Sequence, residues 1–125
     1  MPIYYDVVVP REAEEILNFT IQQGETLLLY GAGDFSEILS WINLADLALE
    51  ILPSCRESLN SCLDWNATNR MQVEVALSIL RDAIGKVHNP LYSALLHPSE
   101  AYRMLVERIS DGSPVSRSPG YREHL

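Results

Sequence analysis

Cysteine is scarce in this 125-residue sequence, which contains two of them, Cys55 and Cys62. Both fall on one predicted helix, where the helical rise separates them by about 10 Å along the axis. That separation exceeds the reach of a disulfide bond while the helix is intact. The sequence therefore excludes a disulfide framework, and we expect a cytoplasmic protein whose core needs no covalent cross-link.

Long hydrophobic runs are also lacking. The longest, Ile38–Leu52, is shorter than the roughly 20 apolar residues that a membrane-spanning helix needs, and it contains Asp46 and Glu50. The first residues do not show a basic region followed by an apolar stretch, which is the pattern of a secretory signal peptide. We therefore expect no contact with a membrane.

Basic residues are nearly absent from the first half of the chain. Residues 1–55 contain nine acidic residues and a single base, Arg11, whereas residues 56–125 contain eight of each sign. The whole net charge of −8 therefore belongs to the first half. An acidic surface repels phosphate backbones, which disfavours nucleic-acid binding. The same charge could attract a basic partner protein or serve only to keep the domain in solution.

Motifs of the common catalytic and metal sites are missing. The sequence contains no serine-hydrolase elbow, P-loop, zincin or EF-hand pattern. Its histidines, His88, His97 and His124, have no second ligand at the spacing that a metal site requires. Cys55 and Cys62 cannot chelate one ion from a straight helix. We expect neither a metal nor another cofactor.

Length and hydrophobic periodicity predict a single domain over residues 1–112, followed by a loose tail at residues 113–125 that is rich in Ser, Pro and Arg. The predicted fold is mostly α, with α+β character at the N-terminus: a compact bundle of five or six helices with one or two short N-terminal strands. The predicted strands are Ile3–Val9 and Thr26–Tyr30, paired in parallel around a helix at residues 11–23 that Gly24 ends. The predicted helices that follow are Phe35–Leu52, Cys55–Trp65, Arg70–Val87, Leu91–Leu96, and one after Pro98 that reaches about Ser110.

The helix Phe35–Leu52 is unusually apolar. Eleven of the fifteen residues from Ile38 to Leu52 are apolar, which leaves only a narrow polar stripe. Such a helix is either central in a bundle or buried by a partner chain. Together with a strand pair too small to stand alone, it predicts a homodimer. The candidate interface residues are Trp41, Leu44, Leu47, Ile51 and Trp65.

A glycine turn follows the second predicted strand. The segment LLLYGAGDFSEIL, residues 27–39, resembles the opening of a Rossmann dinucleotide-binding unit, in which a strand, a Gly-x-Gly turn and a helix cradle a pyrophosphate. The resemblance covers about a dozen residues and departs at the third glycine, where Ser36 stands. It implies a nucleotide or small-ligand site at Gly31, Gly33 and Asp34. The alternative is an ordinary glycine turn with Asp34 as the N-cap of the next helix.

Cys55 is the candidate for a reactive thiol. Its predicted place in the first turn of a helix, beside Arg56, is a setting that lowers a thiol pKa. A catalytic thiol also needs a base, which His88 or His97 could supply if the fold brings it near. The alternative is a small buried apolar residue.

Three functions therefore remain open from the sequence. The leading hypothesis is a non-enzymatic protein-interaction or regulatory module, such as an inhibitor, an immunity-type protein, an antitoxin or an adaptor. Its acidic N-terminal half would face a basic partner. The alternatives are a nucleotide-binding domain that uses the Gly31–Asp34 turn and a small enzyme that uses the Cys55 thiol.

Overall fold

The computed structural model describes residues 9–31, 34–66 and 69–110 of the chain. These residues form six α-helices and contain no strand, which confirms the predicted helical bundle. The helices are α1 (Pro10–Tyr30), α2 (Phe35–Ala48), α3 (Pro53–Cys62), α4 (Arg70–His88), α5 (Pro90–Ser93) and α6 (Glu100–Ser110). A 3₁₀ turn, Leu49–Ile51, follows α2 directly.

The two longest helices, α1 and α4, pack antiparallel. At one end Glu14 lies 3.3 Å from His88, and at the other the Arg70 guanidinium donates to the carbonyl of Leu28 over 2.7 Å. Helix α2 packs against both of them, α3 packs against α4 and α2, and α6 packs against α1 and α2. The bundle has two ends. At one of them α1 finishes and both α2 and α4 begin, and we call it the α1–α2 end. At the opposite end α4 meets α5, and we call it the α5 end.

Helix α2 lies at the centre of this bundle. Six of its residues are buried, and they point to more than one side of the helix: Ile38, Trp41, Ile42, Leu44, Ala45 and Ala48. The chain then tightens into the 3₁₀ turn and becomes extended at Leu52, so the helix ends four residues earlier than predicted. Leu49, Ile51 and Leu52 are nevertheless buried. The apolar circumference of α2 is thus explained by burial within one chain.

The predicted strand Thr26–Tyr30 is wrong, as is the predicted helix end at Gly24. Helix α1 continues through both and finishes where the N–H of Gly31 donates to the carbonyl of Leu27. A glycine inside a helix usually weakens it, but here the missing side chain allows a close helix contact. A Cβ atom at Gly24 would lie 2.4 Å from the ring of Trp41 and 3.0 Å from the Leu77 side chain.

The other predicted N-terminal strand, Ile3–Val9, lies outside the described residues except for Val9, which is the N-cap of α1. The predicted tail, residues 113–125, also lies outside them. Without a strand at Thr26–Tyr30, the parallel pair that was expected around the first helix does not form.

Helix α3 also begins and ends earlier than predicted. Its first residue is Pro53, with Leu52 as the N-cap, two residues before the predicted start at Cys55. Proline suits the first helical position because its fixed φ is already helical and its missing N–H has no partner there. The helix stops at Cys62, which leaves Trp65 in the connection to α4. The predicted cap at Asp34 is confirmed.

Helix α6 buries a tyrosine, Tyr102, among the apolar residues of the core. Its Oη atom has no hydrogen-bond partner among the residues that the structure describes. Burial raises the pKa of the Tyr102 phenol, and the nearby carboxylates of Glu12 and Glu15 raise it further. The folded protein therefore holds this phenol in its neutral form.

We expect Gly24→Ala to lower the free energy of unfolding by about 1–2 kcal/mol, because the added methyl group must displace the Trp41 ring. Gly85 is the matched control, since a Cβ atom there meets nothing within 4 Å. Gly85→Ala should raise the free energy of unfolding by about 0.5–1 kcal/mol. Urea denaturation followed by circular dichroism measures both, and equal stabilisation by the two variants would show that the helices are not in close contact at Gly24.

We expect Tyr102→Phe to raise the free energy of unfolding by about 1 kcal/mol at neutral pH, because it removes a buried hydroxyl without a partner. A tyrosine in the unfolded chain has a pKa of about 10, whereas the pKa of Tyr102 in the folded protein is raised. The wild-type protein should therefore lose stability as the pH rises above that value, and the variant should lose less. Melting temperatures between pH 7 and 11 test this, with the exposed Tyr30→Phe as control; identical profiles for all three proteins would contradict it.

Candidate functional site

Cys55 does not lie in a reactive setting. Only 1% of the residue is exposed, and burial raises the pKa of its thiol, with Lys86 opposing and Asp82 adding to the shift. The Arg56 guanidinium, expected beside the thiol, instead binds Asp46 over 2.8 Å. The same guanidinium also contacts Glu50 over 3.4 Å. Cys55 lies in the first turn of α3, as predicted, but its side chain faces the core.

Neither candidate base is engaged with Cys55. His88 contacts Glu14, and the Nδ1 atom of His97 lies 2.9 Å from the carbonyl of Pro98. No hydrogen bond joins the thiol to either ring in the described part of the chain. The structure thus does not assemble a thiol–imidazole pair from these residues.

The glycine turn lacks the geometry of a dinucleotide site. Its preceding segment is the last turns of α1 and not a strand, and Gly31 caps that helix. The Asp34 carboxylate accepts the backbone N–H groups of Ser36 (2.9 Å) and Glu37 (3.4 Å), and also the Ser36 hydroxyl. These hydrogen bonds hold the pKa of Asp34 below its usual value. The amides that a phosphate would require are already occupied by a carboxylate; Gly33 lies outside the described residues.

The described part of the chain contains neither a metal-binding cluster nor a membrane-spanning helix. Among residues 9–31, 34–66 and 69–110, His, Cys, Asp and Glu side chains nowhere gather in a group of three that could hold an ion. None of the helices described there combines the length and apolar character that a bilayer span needs.

Three of the five candidate interface residues belong to the core of the single chain. Trp41, Leu44 and Ile51 are buried, and the indole N–H of Trp41 donates to the carbonyl of Thr20 over 2.9 Å. Leu47 is half-buried against the core. Trp65 alone is exposed, in the connection between α3 and α4.

Four further exposed apolar side chains share the α1–α2 end with Trp65. We call these five residues the end cluster: Leu29, Tyr30, Phe35, Trp65 and Met71. Their exposed fractions range from 40% at Trp65 to 83% at Tyr30. They come from the end of α1, the beginnings of α2 and α4, and the α3–α4 connection.

Sequence reasoning missed this cluster because Leu29 and Tyr30 were assigned to a buried strand. A signal was present in the spacing of exposed residues along α1, which recur every three or four positions: Arg11, Glu15, Asn18, Gln22, Glu25 and Leu29. Continued past Gly24, that helical period places Leu29 on the exposed face.

Hydrogen bonds fix the backbone of the segments that carry the end cluster. The buried Gln72 side chain accepts the N–H of Asp64 over 3.0 Å, and the Asp64 carboxylate accepts the N–H of Asn66 over 3.1 Å. Trp65 lies between Asp64 and Asn66 in sequence, so both of its neighbours are held in place. The bond from Arg70 to the Leu28 carbonyl joins the start of α4 to the end of α1.

Carboxylates outnumber cations around the end cluster. The acidic residues nearest to it along the described elements are Asp34, Glu37, Asp64 and Glu74, against the single base Arg70. Partial burial raises the pKa of Glu37, and the charge of Asp34 adds to this effect. The surface therefore combines exposed apolar side chains with an excess of negative charge.

Comparison with protein-family models, with curated proteins and with solved structures finds no match to this chain.

Burial of Cys55 has a direct chemical consequence, because a thiol reacts as its thiolate and needs access to the reagent. At neutral pH we expect iodoacetamide to label Cys62, which is exposed, and to leave Cys55 unmodified until the protein is unfolded in urea. Peptide mass spectrometry distinguishes the two sites. Labelling of Cys55 in the folded protein at the rate of Cys62 would revive the thiol-enzyme hypothesis.

Proposed function

We propose that this domain is a non-enzymatic protein-interaction or regulatory module that binds a basic partner protein through the carboxylates of its N-terminal half. One observation carries the proposal: the acidic excess of that half is only partly neutralised by folding. Glu25, Asp46 and Glu50 are paired with arginines. Among the described residues of that half, Glu14 contacts His88, and four other carboxylates have no cationic partner: Glu12, Glu15, Asp34 and Glu37.

These unpaired carboxylates lie at both ends of the bundle. Glu12 and Glu15 are exposed in the first turns of α1, at the α5 end, whereas Asp34 and Glu37 belong to the start of α2. Surface charge of one sign attracts an oppositely charged partner and raises the rate of encounter. It also repels nucleic acids, which supports a protein partner. An inhibitor, an immunity-type protein, an antitoxin and an adaptor would all fit this description.

The two alternative functions have less support. A nucleotide site at Gly31–Asp34 would have to displace the Asp34 carboxylate from the amides that it caps. An enzyme built on Cys55 would have to expose a buried thiol whose pKa is raised.

The homodimer expected from the sequence stays a prediction. It was inferred from the apolar circumference of α2, and burial of that helix within a single chain removes this support. A cytoplasmic location likewise stays a prediction.

Neutralising the unpaired carboxylates should weaken partner binding. The triple variant Glu12→Gln, Glu15→Gln, Glu37→Gln removes three of them and leaves the Asp34 cap intact. Used as bait in a lysate of the natural host, it should retain at least tenfold less of a basic protein that the wild-type domain captures, and the wild-type capture should fall as salt is raised.

The matched control is Glu57→Gln, Glu100→Gln, Glu107→Gln, which changes the net charge equally but lies in the second half of the chain. It should capture the partner as the wild type does. Equal loss of partner capture in both triple variants would mean that binding depends on net charge and not on the N-terminal carboxylates. Capture of an acidic protein by the wild type and both variants would refute the proposal.

A further inference from the structure

We propose that the end cluster is the docking surface for a basic segment of the partner that carries an apolar side chain. This inference rests on the proposed function and assigns it a place on the molecule. It commits to one of the two acidic ends, the α1–α2 end.

The first support is the kind and grouping of the exposed residues. Single exposed apolar side chains are ordinary on protein surfaces. Here five of them come from four separate segments and share one end of the bundle. Trp, Tyr, Phe and Met are enriched where protein interfaces are fully buried, and Trp and Tyr dominate binding energies there.

The second support is that the surface is preorganised. The bonds from Asp64 to Gln72 and from Asn66 to Asp64 fix the backbone on both sides of Trp65. The Asn69 side chain caps α4 by accepting the N–H groups of Met71 and Gln72. A surface that is already ordered loses less conformational entropy when a partner binds.

The third support is charge, which selects the occupant. The segments that carry the end cluster also carry four carboxylates and one guanidinium, and that guanidinium already donates to the carbonyl of Leu28. The residues in sequence between the described segments here, 32–33 and 67–68, carry no charge. Two copies of the chain joined through this end would bring eight carboxylates together. A basic segment instead complements the carboxylates while its apolar side chain covers the cluster.

The experiment uses three designed peptides of equal length that lack tryptophan. One alternates lysine with leucine on a helical pattern, one replaces its leucines by alanine, and one replaces its lysines by glutamate. Binding is followed by the domain's own fluorescence, because Trp65 is exposed whereas Trp41 is buried, and by anisotropy of labelled peptide. We expect the Lys/Leu peptide to bind at least tenfold more tightly than either of the others.

The variants separate the end cluster from other exposed apolar residues. Tyr30→Ala with Met71→Ala should weaken binding of the Lys/Leu peptide at least tenfold. Leu91→Ala with Leu95→Ala is the matched control, because these leucines are similarly exposed at the α5 end, and it should bind as the wild type does. All four residues are exposed, and circular dichroism checks that each variant remains folded.

Several results would overturn the inference and leave the proposed function intact. Equal binding of the Lys/Ala and Lys/Leu peptides would mean that charge alone is recognised. Loss of binding in Glu12→Lys, Glu15→Lys but not in the end-cluster variant would place the site at the α5 end. A dimer seen by native mass spectrometry, and lost in Tyr30→Ala, Met71→Ala, would make a second copy the occupant. The proposed function itself is judged separately, by whether capture of the host partner depends on the acidic residues of the first half.

Discussion

The contact between Trp41 and Gly24 is the constraint on which the rest of the bundle depends. The indole ring occupies the space that a side chain at Gly24 would fill, and its N–H group satisfies the carbonyl of Thr20, one turn earlier in α1. The Leu77 side chain reaches the same point from α4. Side chains from α2 and α4 therefore meet α1 at one glycine, where a larger residue would force them apart.

This packing decides which parts of the chain are left to interact. With α2 enclosed by its neighbours, its apolar surface is used inside the molecule. Apart from Met104 within α6, the large apolar residues that remain exposed in the described part of the chain lie at or near the helix ends and in the connections. The end cluster is one such group, and it lies beside carboxylates that no cation in the described part of the chain neutralises. Burial of α2 thus moves the candidate interaction surface from a helix face to an end of the bundle.

Some elements were predictable because their signals are local. The polar–apolar period of α4 and the cap at Asp34 are properties of a few neighbouring residues, and both agree with the structure. The segment Thr26–Tyr30 was mistaken for a strand because a short apolar run after a glycine has no period of its own. In the structure this segment continues α1, in which Gly24 packs against Trp41, seventeen residues away in sequence. The exposure of Leu29 was missed because assignment of this segment to a strand broke off the helical period that runs through α1.

The sequence by itself determined that the chain is mostly helical, where most of its helices lie, and that its negative charge is concentrated in the first half. These properties follow from composition, from the period of apolar residues and from helix caps, all of which act over a few residues. Only the tertiary structure decided that Cys55 and Trp41 face the core, that α1 runs on through Gly24, and that five exposed apolar residues share one end. Each of these depends on which helices pack together, and that is set by shape complementarity between segments far apart in the chain.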